Sequence, residues 1–222
     1  MLRVTLHSDP NRLTLTPVST GLRVGFWLCI VVAIAAVMRR LLALWQAPSA
    51  AEPPDLQRLD AFFRSHATLT YAHIGVALVF VCILPLVYWN RTRLWQPVRA
   101  LYYLLGLMVG LTAFGMSANP AGGIIEGAAV VVFNLLFLFS LAQSFRAWRI
   151  GDAIADRRWT LRATAIVLGI ATTRPVMGVF FATARLTGWT PHQFFGPAFW
   201  IGFSINTVVM EIALRRHARS IE

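Results

Sequence analysis

The sequence predicts an all-α integral membrane protein, a single bundle of six transmembrane helices with both termini in the cytoplasm. Three observations predict it. The 222-residue chain is 57% hydrophobic, with a mean hydropathy of +0.63, whereas soluble domains are roughly half apolar. Its apolar residues gather into segments near the roughly 20 residues that cross about 30 Å of hydrocarbon. Its 20 cationic side chains are all arginine, and the segments sort most of them to one side. A membrane β-barrel would show shorter segments of alternating polarity. The run Ile30-Val31-Val32-Ala33-Ile34-Ala35-Ala36-Val37 does not alternate.

Residues 1–22 are polar, with turn formers at Ser8-Asp9-Pro10-Asn11, and read as a cytoplasmic tail. The first span is expected at 24–44. A signal peptide has a cleavage site close behind its apolar core; here Pro48-Ser49-Ala50-Ala51 lies too far past it. The segment therefore reads as an uncleaved signal anchor. The longest connection, 45–66, opens with prolines that cannot lie inside a helix. Then Leu56, Leu59, Phe62 and Phe63 recur at helical spacing, with Asp55, Arg58, Asp60 and Arg64 on the other face. Segment 55–64 is thus an amphipathic helix at the outer interface, either a simple connection or a lid over an outward-facing pocket.

Further spans are expected at 67–89, 100–118, 127–147, 163–185 and 196–214. They complete a transmembrane domain at 23–214, with a cytoplasmic tail at 215–222. The turns around Asn90–Pro97, Asn119–Gly123 and Arg185–Pro191 are short, which makes sequential helices antiparallel neighbours. Gly106 and Gly110 form a GxxxG that allows close helix contact. Trp89, Trp95, Trp148, Trp159, Trp189 and Trp200 fall near span ends, as an aromatic belt does.

With the N-terminus inside, the inner connections hold 14 arginines: 3, 12, 23, 91, 93, 99, 146, 149, 157, 158, 162, 215, 216 and 219. The outer ones hold five, Arg39, Arg40, Arg58, Arg64 and Arg185. The positive-inside rule then sets the orientation. The net charge of +11 would suggest nucleic acid in a soluble protein; arginines in short membrane connections remove that reading. The absence of lysine points to a GC-rich bacterial genome, and so to the bacterial inner membrane. Cys29 and Cys82 fall inside spans and read as small packing residues.

The richest polar stretch runs from Arg146 to Arg162. Gly151 ends one helix and Asp152 caps the next. Arg146, Arg149, Asp152, Asp156, Arg157, Arg158, Trp159 and Arg162 form a patch for anionic lipid headgroups or a partner; topogenic charge and interface anchors would leave the same pattern. Within the spans the polar residues are His73, Asn134, Arg174, Asn206 and Glu211. Such groups are costly in lipid and face the bundle interior or water. Arg174 precedes Pro175, which frees a backbone carbonyl. Its acceptor is expected to be that carbonyl, Asn206, or an anionic ligand such as a lipid phosphate or a haem propionate. Glu211 can reach Arg162 or Arg215. His66 and His73 lie seven residues apart and share a helix face. His73 or His66 with His192 could hold a haem iron axially at the outer leaflet; hydrogen-bonded interior histidines explain them as well. His7 and His217 fall in the tails. No HExxH, CxxC, Walker loop or nucleophile elbow occurs, so a hydrolase is not expected, nor any metal beyond haem iron.

His73-Ile74-Gly75 with Ala77, Leu78 and Pro85 is followed by Arg146, Arg149, Gly151 and Asp152. Then come Arg157-Arg158-Trp159 with Arg162, Thr173-Arg174, and Phe199-Trp200 with Asn206 and Glu211. This order, from about residue 60 to 214, resembles a bacterial membrane-protein family known only as domain of unknown function 2306. That family is loosely grouped with two-haem b-type transmembrane cytochromes. The resemblance implies intramembrane histidines, of which only His73 stands in place. Asp156 occupies the position of one, and Leu94-Trp95-Gln96-Pro97 replaces another. What it implies here is at most one haem b, at the outer leaflet.

The leading expectation is a non-enzymatic inner-membrane protein. It would be an accessory subunit of a larger membrane complex, or a binder of a lipid, quinone or pigment, with the bilayer and anionic headgroups as partners. The alternatives are a b-type electron-transfer protein and a small-anion or lipid transporter built on Arg174.

Overall fold

A computed structural model describes residues 20–45, 54–89 and 95–219. The expected N-terminal tail before Thr20, the Ala47–Pro53 stretch, Arg91 and Arg93, and residues 220–222 lie outside the described residues. So do the side chains of Asp55, Leu56, Arg58, Leu59, Trp89, Trp95, His217 and Arg219. The described residues form seven helices: α1 (Thr20–Trp45), α2 (Pro54–Ser65), α3 (Ala67–Trp89), α4 (Trp95–Ser117), α5 (Gly123–Ile150), α6 (Ala153–Thr187) and α7 (Pro191–Arg219). All but α2 are long and apolar enough to cross a membrane, and no strand occurs among the described residues. The chain is a multi-pass helical membrane protein.

The α5–α6 connection is tighter than the spans expected at 127–147 and 163–185. Gly151 adopts the left-handed conformation at φ 80°, and its N–H returns to the last turn of α5. Asp152 then caps α6, accepting from the Ala155 N–H at 2.9 Å. Nothing between Ala153 and Arg162 breaks a helix, so α6 starts ten residues before the apolar stretch and carries Asp156, Arg157, Arg158 and Arg162 on helix rather than in a loop. Apolarity marks where lipid begins; caps mark where helix begins.

Helix neighbours follow from the contacts. α1 packs against α3 and α6, α3 against α4, α4 against α5, and α5 against α6. These five close a ring, and α7 lies along α5 and α6. α1 and α6 run parallel, with Cys29 Sγ 3.9 Å from Thr172 Oγ1. Lipid tails are as apolar as leucine, so close approach and interhelical hydrogen bonds hold such helices together. Gly106 leaves room for Leu141 and Phe80, and Gly110 for Leu138. Asn134 Nδ2 donates to the Gly110 carbonyl at 2.9 Å. Between α6 and α7, Gly169 meets Phe203 and Gly202 meets Thr173.

The core is uneven along the bundle axis. Most of the arginines gather at the end where α1 and α6 begin, and the main core sits toward that end. Phe80, Leu84 and Tyr102 are fully buried there beside Ile30, Phe137 and Ile166. Toward the other end a smaller cluster of Met177, Phe194, Phe195 and Ala198 joins α6 to α7. In that half, α3 buries only Thr70 before Phe80, and α4 buries nothing after Gly110.

Candidate functional site

Two polar centres lie inside the bundle, one in each half. At the arginine-rich end the centre is Arg99, 1% exposed, with Asp156, 8% exposed. Charge sorting assigns Arg99 to a connection and Asp156 to a headgroup patch; the structure buries both. Arg99 Nη2 donates to Asp156 Oδ1. The same carboxylate oxygen accepts from Ser144 Oγ at 2.7 Å, Tyr103 Oη at 3.2 Å and Thr160 Oγ1 at 3.3 Å. Arg99 Nη1 also donates to Thr160 Oγ1 at 3.3 Å. Tyr88 extends the network to α3, donating to Thr164 Oγ1 at 2.7 Å. The result ties α3, α4, α5 and α6 together. A buried charge pair is tolerated when hydrogen bonds satisfy it, and this one is well supplied. Its chemistry is that of a clamp.

The rest of the expected patch divides. Arg162 Nε donates to Glu211 Oε1 at 2.5 Å and Nη2 to Oε2 at 3.2 Å, joining α6 to α7. The Arg162 guanidinium lies 4.5 Å from the Trp159 ring centroid. Arg146, Arg149, Asp152 and Arg158 are exposed.

The second centre lies in the other half. Arg40 Nη1 donates to Asp60 Oδ1 at 2.5 Å, and Arg39 Nη2 lies 3.8 Å from Oδ2. Asp60 is buried, although its spacing assigns it to the polar face of α2. The Arg40 guanidinium also stacks on Phe63 at 3.9 Å, and Arg64 Nη2 donates to the Ala43 carbonyl at 2.6 Å. These contacts clasp α2 to the end of α1. Glu126, buried at the start of α5, accepts from the Gly122 N–H. Arg174 of α6 lies in electrostatic range of Arg39 and Glu126, Arg40 in range of Arg174, and Glu126 in range of His192.

Arg174 does not bond Asn206. Asn206 Oδ1 instead accepts from Thr172 Oγ1 at 2.7 Å, and its Nδ2 donates to the Ala165 carbonyl at 3.3 Å. The contact of the Arg174 guanidinium is Met177 Sδ at 4.0 Å. Among the described residues it forms no ion pair.

The face of α6 explains its exposure. Thr160, Thr164 and Ala171 recur at helical spacing and are buried against the ring. Arg174, Gly178 and Ala182 continue that spacing, and all three are exposed, as is Pro175. One stripe of one helix thus passes from packed core to open surface at Arg174.

The three described histidines have separate surroundings. His73 Nδ1 lies 2.8 Å from Thr112 Oγ1 on α4. His66 Nδ1 lies 3.0 Å from Ser65 Oγ, its ring beside Phe62. His192 packs its Cε1–Nε2 edge toward Gly123. Among the described residues no cluster of three His, Cys, Asp or Glu could hold a metal ion.

Sequence reasoning passes over Tyr103, Ser144, Thr160 and Glu126, and places Arg99 in a connection and Asp60 on a polar face. Glu126 falls one residue before its expected span. The four-residue spacings Arg99–Tyr103 and Asp156–Thr160 carry a usable signal, since such pairs share a helix face.

No family model, curated protein or solved structure matches this chain.

Proposed function

We propose that this protein is a non-enzymatic membrane protein that binds a hydrophobic ligand in the open half of the ring, away from the arginine-rich end. The carrying observation is the α6 stripe, buried through Ala171 and exposed from Arg174 onward. A bundle that packs tightly in one half and leaves the Arg174 face of α6 uncovered in the other offers a surface for a guest there. Ligand sites between bundle helices are lined mostly by apolar groups with a few polar ones that fix orientation. The excess of arginine at the opposite end favours placing that end in the cytoplasm of a bacterial inner membrane.

The b-type cytochrome reading draws less support. His73 engages Thr112 through Nδ1 and leaves Nε2 to ligate, but the Nε2 edge of His192 lies toward Gly123 and would have to turn before meeting an iron. The test of the proposal is native mass spectrometry on mildly extracted protein. A discrete hydrophobic adduct that survives detergent exchange is expected. Bare protein, carrying only lipid that washes away, would overturn the reading.

A further inference from the structure

Resting on that reading, we infer that the open half of the ring is an oxyanion site, at which Arg174 and Arg39 bind the phosphate or carboxylate head of an anionic amphiphile.

The charges there are unequal. Among the described residues, Arg39, Arg40 and Arg174 face two carboxylates, Asp60 and Glu126. Asp60 belongs to Arg40, at 2.5 Å, with both side chains largely buried at 12% and 6% exposed. Arg39 holds the same carboxylate only at 3.8 Å, and its side chain stays 47% exposed. Glu126 turns to the backbone N–H of Gly122. Arg174 is therefore left with a thioether sulfur at 4.0 Å, a weak acceptor. A second arginine in electrostatic range adds repulsion rather than relief.

An arginine well inside a span is expensive. Arg174 lies 13 residues before Thr187, roughly 20 Å down the helix at 1.5 Å per residue. Such a group faces an interior or a water-filled cavity and pairs with something. The exposed stripe gives the guanidinium an open approach, and among the described residues no carboxylate pairs with it. A guanidinium presents its N–H groups as a fork that fits phosphate and carboxylate. An oxyanion between Arg174 and Arg39 would relieve both. In a bilayer such an anion arrives on a lipid or fatty acid, or as a small solute from water.

The test uses the full chain in neutral maltoside detergent. Its melting midpoint is titrated with dodecyl phosphate, inorganic phosphate and dodecanol. A ligand that binds only the folded state raises the midpoint. Dodecyl phosphate is expected to do so in wild type, and Arg174→Gln to bind at least about tenfold more weakly, the loss of one charge-assisted hydrogen bond. Arg39→Gln, at an exposed side chain, should weaken binding in the same sense and gives a reading even if Arg174→Gln fails to fold. Arg216→Gln, exposed on α7 at the other end, should bind as wild type does. A shift with inorganic phosphate of equal arginine dependence supports the site with a free oxyanion as its source. Dodecanol matching dodecyl phosphate, unaffected by either variant, would overturn the oxyanion inference and leave the hydrophobic-ligand reading standing. No shift with either phosphate probe would also overturn the inference, while the mass-spectrometric adduct decides the broader reading separately.

Discussion

Arg99 and Asp156, 57 residues apart in sequence, meet inside the bundle, and one carboxylate oxygen takes the guanidinium, two hydroxyls and a phenol. Removing one partner would strand the other charge. Asp156→Asn is expected to destabilise the protein by roughly 3–5 kcal/mol. Arg99→Met should cost a similar amount. The double variant should recover much of the loss, because it leaves no unpaired charge buried. Thermal unfolding of the four proteins in detergent measures the coupling. Strict additivity would mean that the pair does not act as a unit.

The contact between α6 and α7 depends on glycine at Gly202. A Cβ there would stand 2.6 Å from both the backbone N and Cγ2 of Thr173. The backbone nitrogen cannot move aside, so Gly202→Ala should destabilise by about 1–3 kcal/mol. Gly178, on the exposed stripe of α6, has nothing within 4 Å of a built Cβ. Gly178→Ala should be neutral, or stabilising by up to about 1 kcal/mol through helix propensity. A comparison of melting midpoints checks both, and equal behaviour of the two variants would contradict the packing argument.

Much of this architecture is legible in the sequence, and for physical reasons. Six segments of spanning length have one solution in lipid, the helix, because every backbone polar group must be satisfied internally. Gly151-Asp152 announces its turn through the left-handed glycine and the side-chain cap. Arg162 and Glu211 come together because both sit near the same end of adjacent antiparallel helices. Arg99 is the instructive failure. Charge sorting treats every arginine near a span end alike, and only the packing of α4 against α5, which brings Arg99 to Asp156 and Thr160 of α6, reveals that this one points inward. Arg174 shows the converse. Its position inside a span is plain from hydropathy, but its lack of a carboxylate partner depends on Glu126 and Asp60 being engaged elsewhere, which no spacing rule reports.

Orientation can be measured directly. The positive-inside rule places the α5–α6 turn in the cytoplasm and the α6–α7 turn outside. With Cys29 and Cys82 replaced by alanine, Arg149→Cys and Thr187→Cys place single thiols at exposed residues on the two ends. A membrane-impermeant maleimide added to intact spheroplasts should label Thr187→Cys and spare Arg149→Cys until the cells are broken. The opposite pattern would invert the topology and put the oxyanion site on the cytoplasmic half.

Arg162 and Glu211 offer a contrast with the buried clamp. Their side chains are 21% and 33% exposed, and the carboxylate is held in a two-point contact at 2.5 and 3.2 Å. Partly exposed pairs are worth at most about 1 kcal/mol, so Glu211→Gln should lower the melting midpoint far less than Asp156→Asn. Arg162 also rests on Trp159, and its aliphatic stem covers apolar surface. Arg162→Ala should therefore cost more than Glu211→Gln, with the difference surviving in high salt. If salt erased that difference, the interaction would be charge alone, and the stacking on Trp159 would contribute nothing to stability.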